Sequence, residues 1–344
     1  MVKTKTLKLM LDSHGSYLGM EKGCFVVKDE QKKVVQKHPL FESDIGEVIL
    51  KSGNYVSTGA LASMGFWNID CLITTQKGNP VAMLRSLDDD SHVETRLCQY
   101  EAYKSNKGLQ IAKEFVKGKV KGQDLILAKY GFKRHSPVTD IIDKIVSDNS
   151  KSVRTRLLSV EGRYTKRYFN DIFQLFPEQL RLENRKTFKA YDGLNNIFNL
   201  AYEVLQWKVH QALLKAKLEP YLGFLHSTAM GKPSLVLDFM ELYRYLIDDF
   251  LIQYCKKLKP SDFILKTERL SVRKKGKRQY LNNMNTRNLL RSLNEYFSMK
   301  VEIPRIRYGK SQEIETLIGE EVELLARYIR DEKENWIPRI AVPN

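Results

Sequence analysis

A chain of 344 residues is long enough for two ordinary domains with separate cores, and 42% apolar with 10% aromatic content is the composition of a folded chain rather than a disordered one. No apolar run approaches the roughly 18 residues needed to span a bilayer, and the start MVKTKTLKLMLDS has no secretory h-region or cleavage site, so the expectation is an intracellular, cytoplasmic protein with no membrane partner. With 57 Lys plus Arg against 41 Asp plus Glu, the net charge of +16 favours polyanions, because each neutralised phosphate releases condensed counterions; a solubilising surface or an anionic membrane is the competing explanation of charge alone.

In chain order, residues 1–87 read as β-rich and sandwich-like. Leu7, Leu9 and Leu11 alternate with polar neighbours, the period of a half-buried strand. Further β-prone pieces are Cys24–Val27, Val34–His38, Val48–Leu50, Leu72–Thr75 and Val81–Leu84, separated by turn signals at 13–15, 28–32 and 76–79. Thr58 is expected to cap a short helix. The acidic stretch 88–92 reads as a linker. Residues 93–335 then carry helical periodicity throughout and are expected to form an all-α domain, followed by a docked or loose tail over 336–344. The fold class is therefore α+β, a small β-domain followed by a larger helical one. Cys24, Cys71, Cys98 and Cys255 are scattered, without a C-x-x-C pair, and are given no role.

Three residues stand where apolar ones are expected. Leu157, Glu161, Tyr164 and Tyr168 fall on one helical face of 156–173, which sets Glu161 into an apolar and aromatic stripe. A buried carboxylate needs a partner, and the plain alternative is an ion pair with Arg154 or Arg163. A second helix is expected over 234–256, capped by Ser234 and apolar nearly all round except for Asp238 and Glu241. Asp238 sits where the helix dipole alone could explain it, whereas Glu241 is past the first turn. His226 lies in the Gly223–Pro233 segment just ahead of that helix. Two carboxylates and one imidazole with open positions suit Mg²⁺ or Mn²⁺ better than structural zinc.

Basic runs flank these residues. Lys151, Arg154, Arg156, Arg163, Lys166 and Arg167 surround Glu161, and Arg269, Arg273, Lys274, Lys275, Lys277 and Arg278 place six cations in ten residues with no acid. The Lys-Lys-Gly-Lys core of the second run reads as a turn or hairpin tip able to lie along a nucleic-acid backbone, and either run alone could be a solvated face. There is no G-x-x-x-x-G-K-[ST] loop, no His-x-x-Arg pattern and no G-x-S-x-G elbow. The expectation is metal-assisted chemistry on nucleic-acid phosphates, with a non-catalytic DNA scaffold or a nuclease for branched or single-stranded DNA as alternatives.

The run Tyr221-Leu-Gly-Phe-Leu-His226-Ser-Thr-Ala-Met-Gly-Lys232-Pro-Ser-Leu-Val-Leu-Asp238-Phe-Met-Glu241 resembles the signature of the CRISPR-associated protein one family, the adaptation integrase. Leu158-Ser-Val-Glu161-Gly162 resembles its Glu-Gly helix motif. Asp192-Gly193-Leu-Asn195 resembles its Asp-Pro-x-Asn stretch, with glycine where proline is usual, a departure expected to loosen that helix start. The resemblance extends over essentially the whole chain. It implies that Glu161, His226 and Glu241 hold one Mg²⁺ or Mn²⁺ and that Asp238 supports them. It implies too that Lys232 and Asn195 join Arg163, Arg167, Arg273, Lys274, Lys275, Lys277 and Arg278 at DNA. The implied partners are incoming spacer DNA and the CRISPR repeat, a second copy of the chain joined through the β-domain, and a small ferredoxin-like CRISPR-associated protein in a heterohexamer. The implied reaction is insertion of short foreign DNA by 3′-hydroxyl transesterification.

Overall fold

Leu9 and Leu11 are buried while Lys8 and Met10 face out, so the alternation at the start of the chain forms a strand, although Leu7 at its first position is exposed rather than buried with them. The computed structural model describes residues 7–40, 42–76, 80–86, 93–133, 138–145, 150–187, 190–269, 275–303 and 311–343. The chain divides into two units, 1–91 and 92–344. The expected linker 88–92 lies outside the described residues.

The first unit contains β1 (Leu7–Leu11), β2 (Tyr17–Glu21), β3 (Cys24–Lys28), β4 (Val34–Pro39), β5 (Ile45–Lys51), β6 (Tyr55–Val56), α1 (Thr58–Phe66), β7 (Asp70–Thr74) and β8 (Pro80–Leu84). One sheet has the order β1-β5-β7-β8, parallel except for β8; the other has the order β4-β3-β2-β6, antiparallel except for β6. Leu11, Val48, Leu50 and Cys71 from the first sheet share a core with Leu18 and Phe25 from the second and Met64 of α1. Strands β2 and β6 have no counterpart in the expected pattern. In β2 the adjacent Leu18 and Gly19 are both buried, which erases the period-2 signal, and β6 has only two residues. The cap of α1 is Ser57, not Thr58: its Oγ accepts a hydrogen bond from the Ala60 N–H at 3.1 Å.

The second unit is built on α2 (Val93–Lys104), α3 (Asn106–Lys129), α4 (Thr139–Asp143), α5 (Ser150–Ile172), α6 (Gly193–Lys215), α7 (Ser234–Met240) and α8 (Arg244–Cys255). A hairpin follows, β9 (Phe263–Arg269) against β10 (Lys275–Leu281). After it come α9 (Asn283–Phe297), the short pair β11 (Lys300–Glu302) and β12 (Ser311–Glu313), and α10 (Ile314–Ile329). The predominantly helical character is as expected, but the unit is not all-α. The strands flank the basic run that reads as a turn or hairpin tip, but FILKTER and KGKRQYL show no clean period-2 alternation that would separate them from the helical stretches around them.

Two details correct the sequence reading and bear on the site. The helix expected over 234–256 is broken at 241–243, where Leu242 and Tyr243 donate to the carbonyls three residues back at 3.2 and 2.9 Å. Ser234 does not cap it. Its Oγ donates to the Ser227 carbonyl at 2.9 Å and so ties down the preceding loop. The tail is docked: the Trp336 indole N–H and the Arg339 guanidinium both donate to the fully buried Glu321 at 2.8 Å, and Trp336 packs edge-on against Phe115.

Gly193 does not loosen the start of α6. Asp192 caps the helix by accepting from the Asn195 N–H at 2.7 Å, and the Gly193 N–H donates to Oε1 of Gln279 on β10 at 3.0 Å. A Cβ at 193 would overlap the ring of Phe263 on β9. Glycine is thus required by the hairpin packed on the helix start. Gly193→Pro, which first-turn preference alone would favour, is expected to lower unfolding free energy by about 2–4 kcal/mol through overpacking and the missing N–H donor. A urea melt checks this, and Gln279→Ala is expected to lose only the smaller hydrogen-bond share.

Candidate functional site

Glycines place the helices. Gly118 and Gly122 lie one turn apart on α3. A Cβ at 118 would meet Leu242 at 2.5 Å, and one at 122 would overlap the ring of Tyr245. The backbone of α3 therefore approaches the α7–α8 break more closely than any side chain would permit. Between these glycines stands Lys119, 6% exposed. Its ammonium lies 2.7 Å from Oε2 of Glu241, at the break, and is in direct contact with Oε1 of Glu161 on α5. One turn on, the Gln123 amide donates to Thr165 Oγ1 at 3.3 Å, and that hydroxyl donates to Glu161 Oε1 at 2.9 Å.

Glu161 pairs with neither Arg154 nor Arg163. Arg154 donates to the carbonyls of Phe224 at 2.7 Å and Tyr103 at 3.2 Å, clamping the loop that carries His226. Arg163 is exposed and bonds only the Ser159 carbonyl at 3.4 Å among the described residues. Burial alone would push the Glu241 carboxyl up, but Arg244 at 3.3 Å and Lys119 outweigh it and hold it down at about 2. Burial likewise opposes the Lys119 ammonium, yet Glu241 and Glu161 raise it above the ordinary lysine value. Oε2 of Glu241 is buried and accepts no well-aligned hydrogen bond, although the ammonium stands beside it.

Asp238 is fully buried on α7 and its acceptor capacity is spent on the loop. Oδ2 accepts from the N–H groups of Phe224 at 2.6 Å and Leu225 at 2.9 Å; Oδ1 accepts from the His226 N–H at 2.8 Å and from Nδ1 of the His226 ring at 2.6 Å. A carboxylate only accepts, so Nδ1 carries the proton and Nε2 is the ring atom left for another partner. Gly223 allows this wrap, since a Cβ there would lie 2.7 Å from the Ser234 backbone and 2.8 Å from Asp238 Oδ2. His226 also helps to lower the Glu241 carboxyl, so the imidazole belongs to the same electrostatic neighbourhood. Among the described residues, no three of His, Cys, Asp and Glu are gathered as a ready-made metal centre.

Behind this layer lies a second one. Asp248 of α8, fully buried, accepts from the hydroxyl of Tyr168 at 2.8 Å and from that of Tyr202, while the Arg244 guanidinium lies over the Tyr202 ring at 4.9 Å. Burial pushes the Asp248 carboxyl up to about 6, against the two hydroxyls and the cations Arg185 and Arg244.

The remaining expected residues separate into surface and interior. Arg156, Arg163, Lys166 and Arg167 form an exposed stripe on α5, and Lys232 is partly exposed in the His226 loop. Asn195 is not a DNA contact. It is 1% exposed, with Oδ1 accepting from the Lys186 N–H at 2.8 Å and from Arg185 at 3.0 Å, and Nδ2 donating to Asp192 and the Asn184 carbonyl. It closes the loop ahead of α6. Lys277 is exposed on the hairpin, whereas Arg278 lies 3.4 Å from Glu268 and over the Tyr191 ring. Arg273, Lys274 and the Lys275 side chain lie outside the described residues.

The family model of CRISPR associated protein Cas1 matches residues 9–286. The chain belongs to the Cas1 family. It is 29% identical over 288 residues to a CRISPR-associated endonuclease Cas1 of Archaeoglobus fulgidus, covering 74% of this chain and 81% of that one. A casposase bound to integration product shares the fold at a TM-score of 0.63 and 21% identity, covering 95% of this chain and 96% of the other. So does a chain of a partial Cas6-RT-Cas1–Cas2 complex, at 0.67 and 17%, covering 97% and 98%. Within this Cas1-family chain, sequence reasoning overlooks Lys119, Thr165 and Arg244. The available signals are a Gly-x-x-x-Gly pair flanking a lysine and an arginine three residues after Glu241.

The raised Asp248 carboxyl stabilises the fold in its protonated form, a contribution fully present below the unfolded value of 3.8 and lost as pH rises through about 6. Asp248→Asn can keep both tyrosine partners without ionising. Its stability relative to wild type is expected to rise between pH 4 and 7 and to level off above, by on the order of 3 kcal/mol; parallel denaturant melts across pH measure it, and a flat difference would contradict the assignment.

Proposed function

We propose that this chain is a metal-dependent DNA endonuclease and integrase of CRISPR adaptation, in which Glu161, His226 and Glu241 hold one Mg²⁺ or Mn²⁺. The observation that carries the reading is the convergence of Glu161 and Glu241, 80 residues apart, on one buried cation. Beside them is a histidine whose Nδ1 is pinned by a carboxylate, the second-sphere arrangement typical of ligating imidazoles. Oxygen and imidazole donors fit Mg²⁺ or Mn²⁺, and Oε2 of Glu241, buried and facing a cation at 2.7 Å, is an acceptor of the kind such an ion takes. Family membership supports the same reading.

A divalent ion there supplies Lewis-acid polarisation of a phosphodiester. The protein's own part is positional. Asp238 fixes the imidazole, the Arg154 clamp and Gly223 fix the loop, and Arg163, Lys166 and Arg167 attract the phosphate backbone close to carboxylates that would otherwise repel it. Lys232, partly exposed on the His226 loop, is assigned the neighbouring phosphate contact in this proposal. The 3′-hydroxyl of spacer DNA attacks a phosphodiester at the repeat boundary, forming the new P–O bond as the old 3′-oxygen leaves with a proton. Replacing that hydroxyl with water turns the same site into a nuclease. The proposed assembly is a homodimer formed through the N-terminal unit and joined to a small ferredoxin-like CRISPR-associated protein in a heterohexamer. The fold shared with a chain of a partial Cas6-RT-Cas1–Cas2 complex supports a protein partner of that kind.

His226→Ala and Glu241→Ala are each expected to lower Mn²⁺-dependent strand transfer on a repeat-containing target by about 10²–10³-fold. Wild-type rates in either variant, or full function without metal, would favour the scaffold reading. For the basic stripe, Arg163→Gln with Arg167→Gln is expected to reduce the slope of log affinity against log salt by about 1–2, close to one for each phosphate no longer neutralised. An unchanged slope would assign the stripe to solubility.

A further inference from the structure

Lys119 occupies the place that the proposed function gives to a metal ion. It is buried, it comes from a helix brought close by Gly118 and Gly122, and its ammonium touches one oxygen from each of two carboxylates. A structural lysine usually pairs with one acid at the surface; this one joins two acids from different helices, and each acid has a further partner in Thr165 or Arg244. Lys119 and Arg244 balance Glu161 and Glu241, so the group is neutral without metal. A divalent ion added to this group would meet two cations in a poorly screened interior. At 4 Å each such repulsion is on the order of several kcal/mol at an effective dielectric of about 20.

We propose that Lys119 is the site's resident counter-cation: its ammonium holds Glu161 and Glu241 together before metal arrives and is displaced by the metal, so that it sets the metal affinity. The inference rests on the reading of Glu161 and Glu241 as ligands. Neither carboxylate has to move far, because both already face one cation. What changes is which cation they face. The lysine stem, four methylenes long, lets the ammonium swing aside while α3 stays fixed by its glycine contacts.

The test measures Mn²⁺ binding to the full chain by calorimetry, and the Mn²⁺-induced shift in melting temperature, for wild type, Lys119→Met and Lys119→Arg. Lys119→Met removes the competitor and keeps the packing volume. It is expected to melt below wild type without metal, to show a larger upward shift with Mn²⁺, and to bind Mn²⁺ at least about tenfold more tightly, a change of ~1.4 kcal/mol. Lys119→Arg keeps the charge and is expected to bind no more tightly than wild type. Equal or weaker binding by Lys119→Met overturns the proposal, as does a Lys119→Met chain that stays unfolded even with Mn²⁺, since metal should replace the missing charge. Absence of Mn²⁺ binding by wild type and by Lys119→Met alike would instead overturn the ligand assignment itself.

Discussion

Two carboxylates drawn together in a protein interior repel each other and lose their hydration, and no packing of apolar side chains offsets that cost. Glu161 and Glu241 are such a pair, and the architecture around them is arranged to keep a cation between them. The requirement explains why α3 has glycine on both sides of Lys119. A Cβ at 118 would meet the Leu242 side chain at 2.5 Å and one at 122 would overlap the Tyr245 ring, so glycine lets α3 bring Lys119 up to both acids without either side chain having to give way. A second cation stands on the same side: Arg244, three residues on and across the break between α7 and α8, lies 3.3 Å from the Glu241 carboxylate.

The same low-dielectric interior moves two carboxyls in opposite directions. Glu241 falls to about 2 and Asp248 rises to about 6. Both are fully enclosed, so burial cannot account for the difference; the contacts do. Glu241 touches two full positive charges, whereas Asp248 is held by two tyrosine hydroxyls with its cations further off. Asp238 is a third solution, a carboxylate held by three backbone N–H groups and one imidazole. The three acids thus divide the labour: one faces Lys119 and Arg244, one aims the histidine, and one anchors the helix that carries Arg244.

Much of this is legible in the amino-acid sequence. The stripe of Leu157, Glu161, Tyr164 and Tyr168 is real, because period 3.6 needs only one helix to express itself, and all but Glu161 are nearly fully buried. The strand at Leu7–Leu11 is legible for the same reason. What is not legible depends on contacts between segments far apart in sequence. Lys119 lies 42 residues from Glu161 on another helix, and only the packing of α3 on α5 turns one lysine among 57 basic residues into a site residue. Asn195 illustrates the converse error: a polar residue in a recognised motif looks like a ligand contact, but its amide closes a loop. Gly193 likewise reads as a loosened helix start when the hairpin packed over it is out of view.

Helix α5 carries both halves of the proposed chemistry. Glu161 and Thr165 face α3, while Arg163, Lys166 and Arg167 face solvent, so a residue or two along the chain separates acid from base. A single rigid element therefore fixes the distance between the carboxylate and the surface that would receive phosphate. Had the acid and the cations come from different loops, each could relax away from the other, and the substrate's charge would widen the gap. Tyr164 and Tyr168 on the buried face bond Asp124 of α3 and Asp248 of α8, locking the rotation of α5 about its axis. A rotation that turned Glu161 away from Lys119 would have to break both tyrosine contacts, which is why the acid inside and the cations outside hold their orientations together.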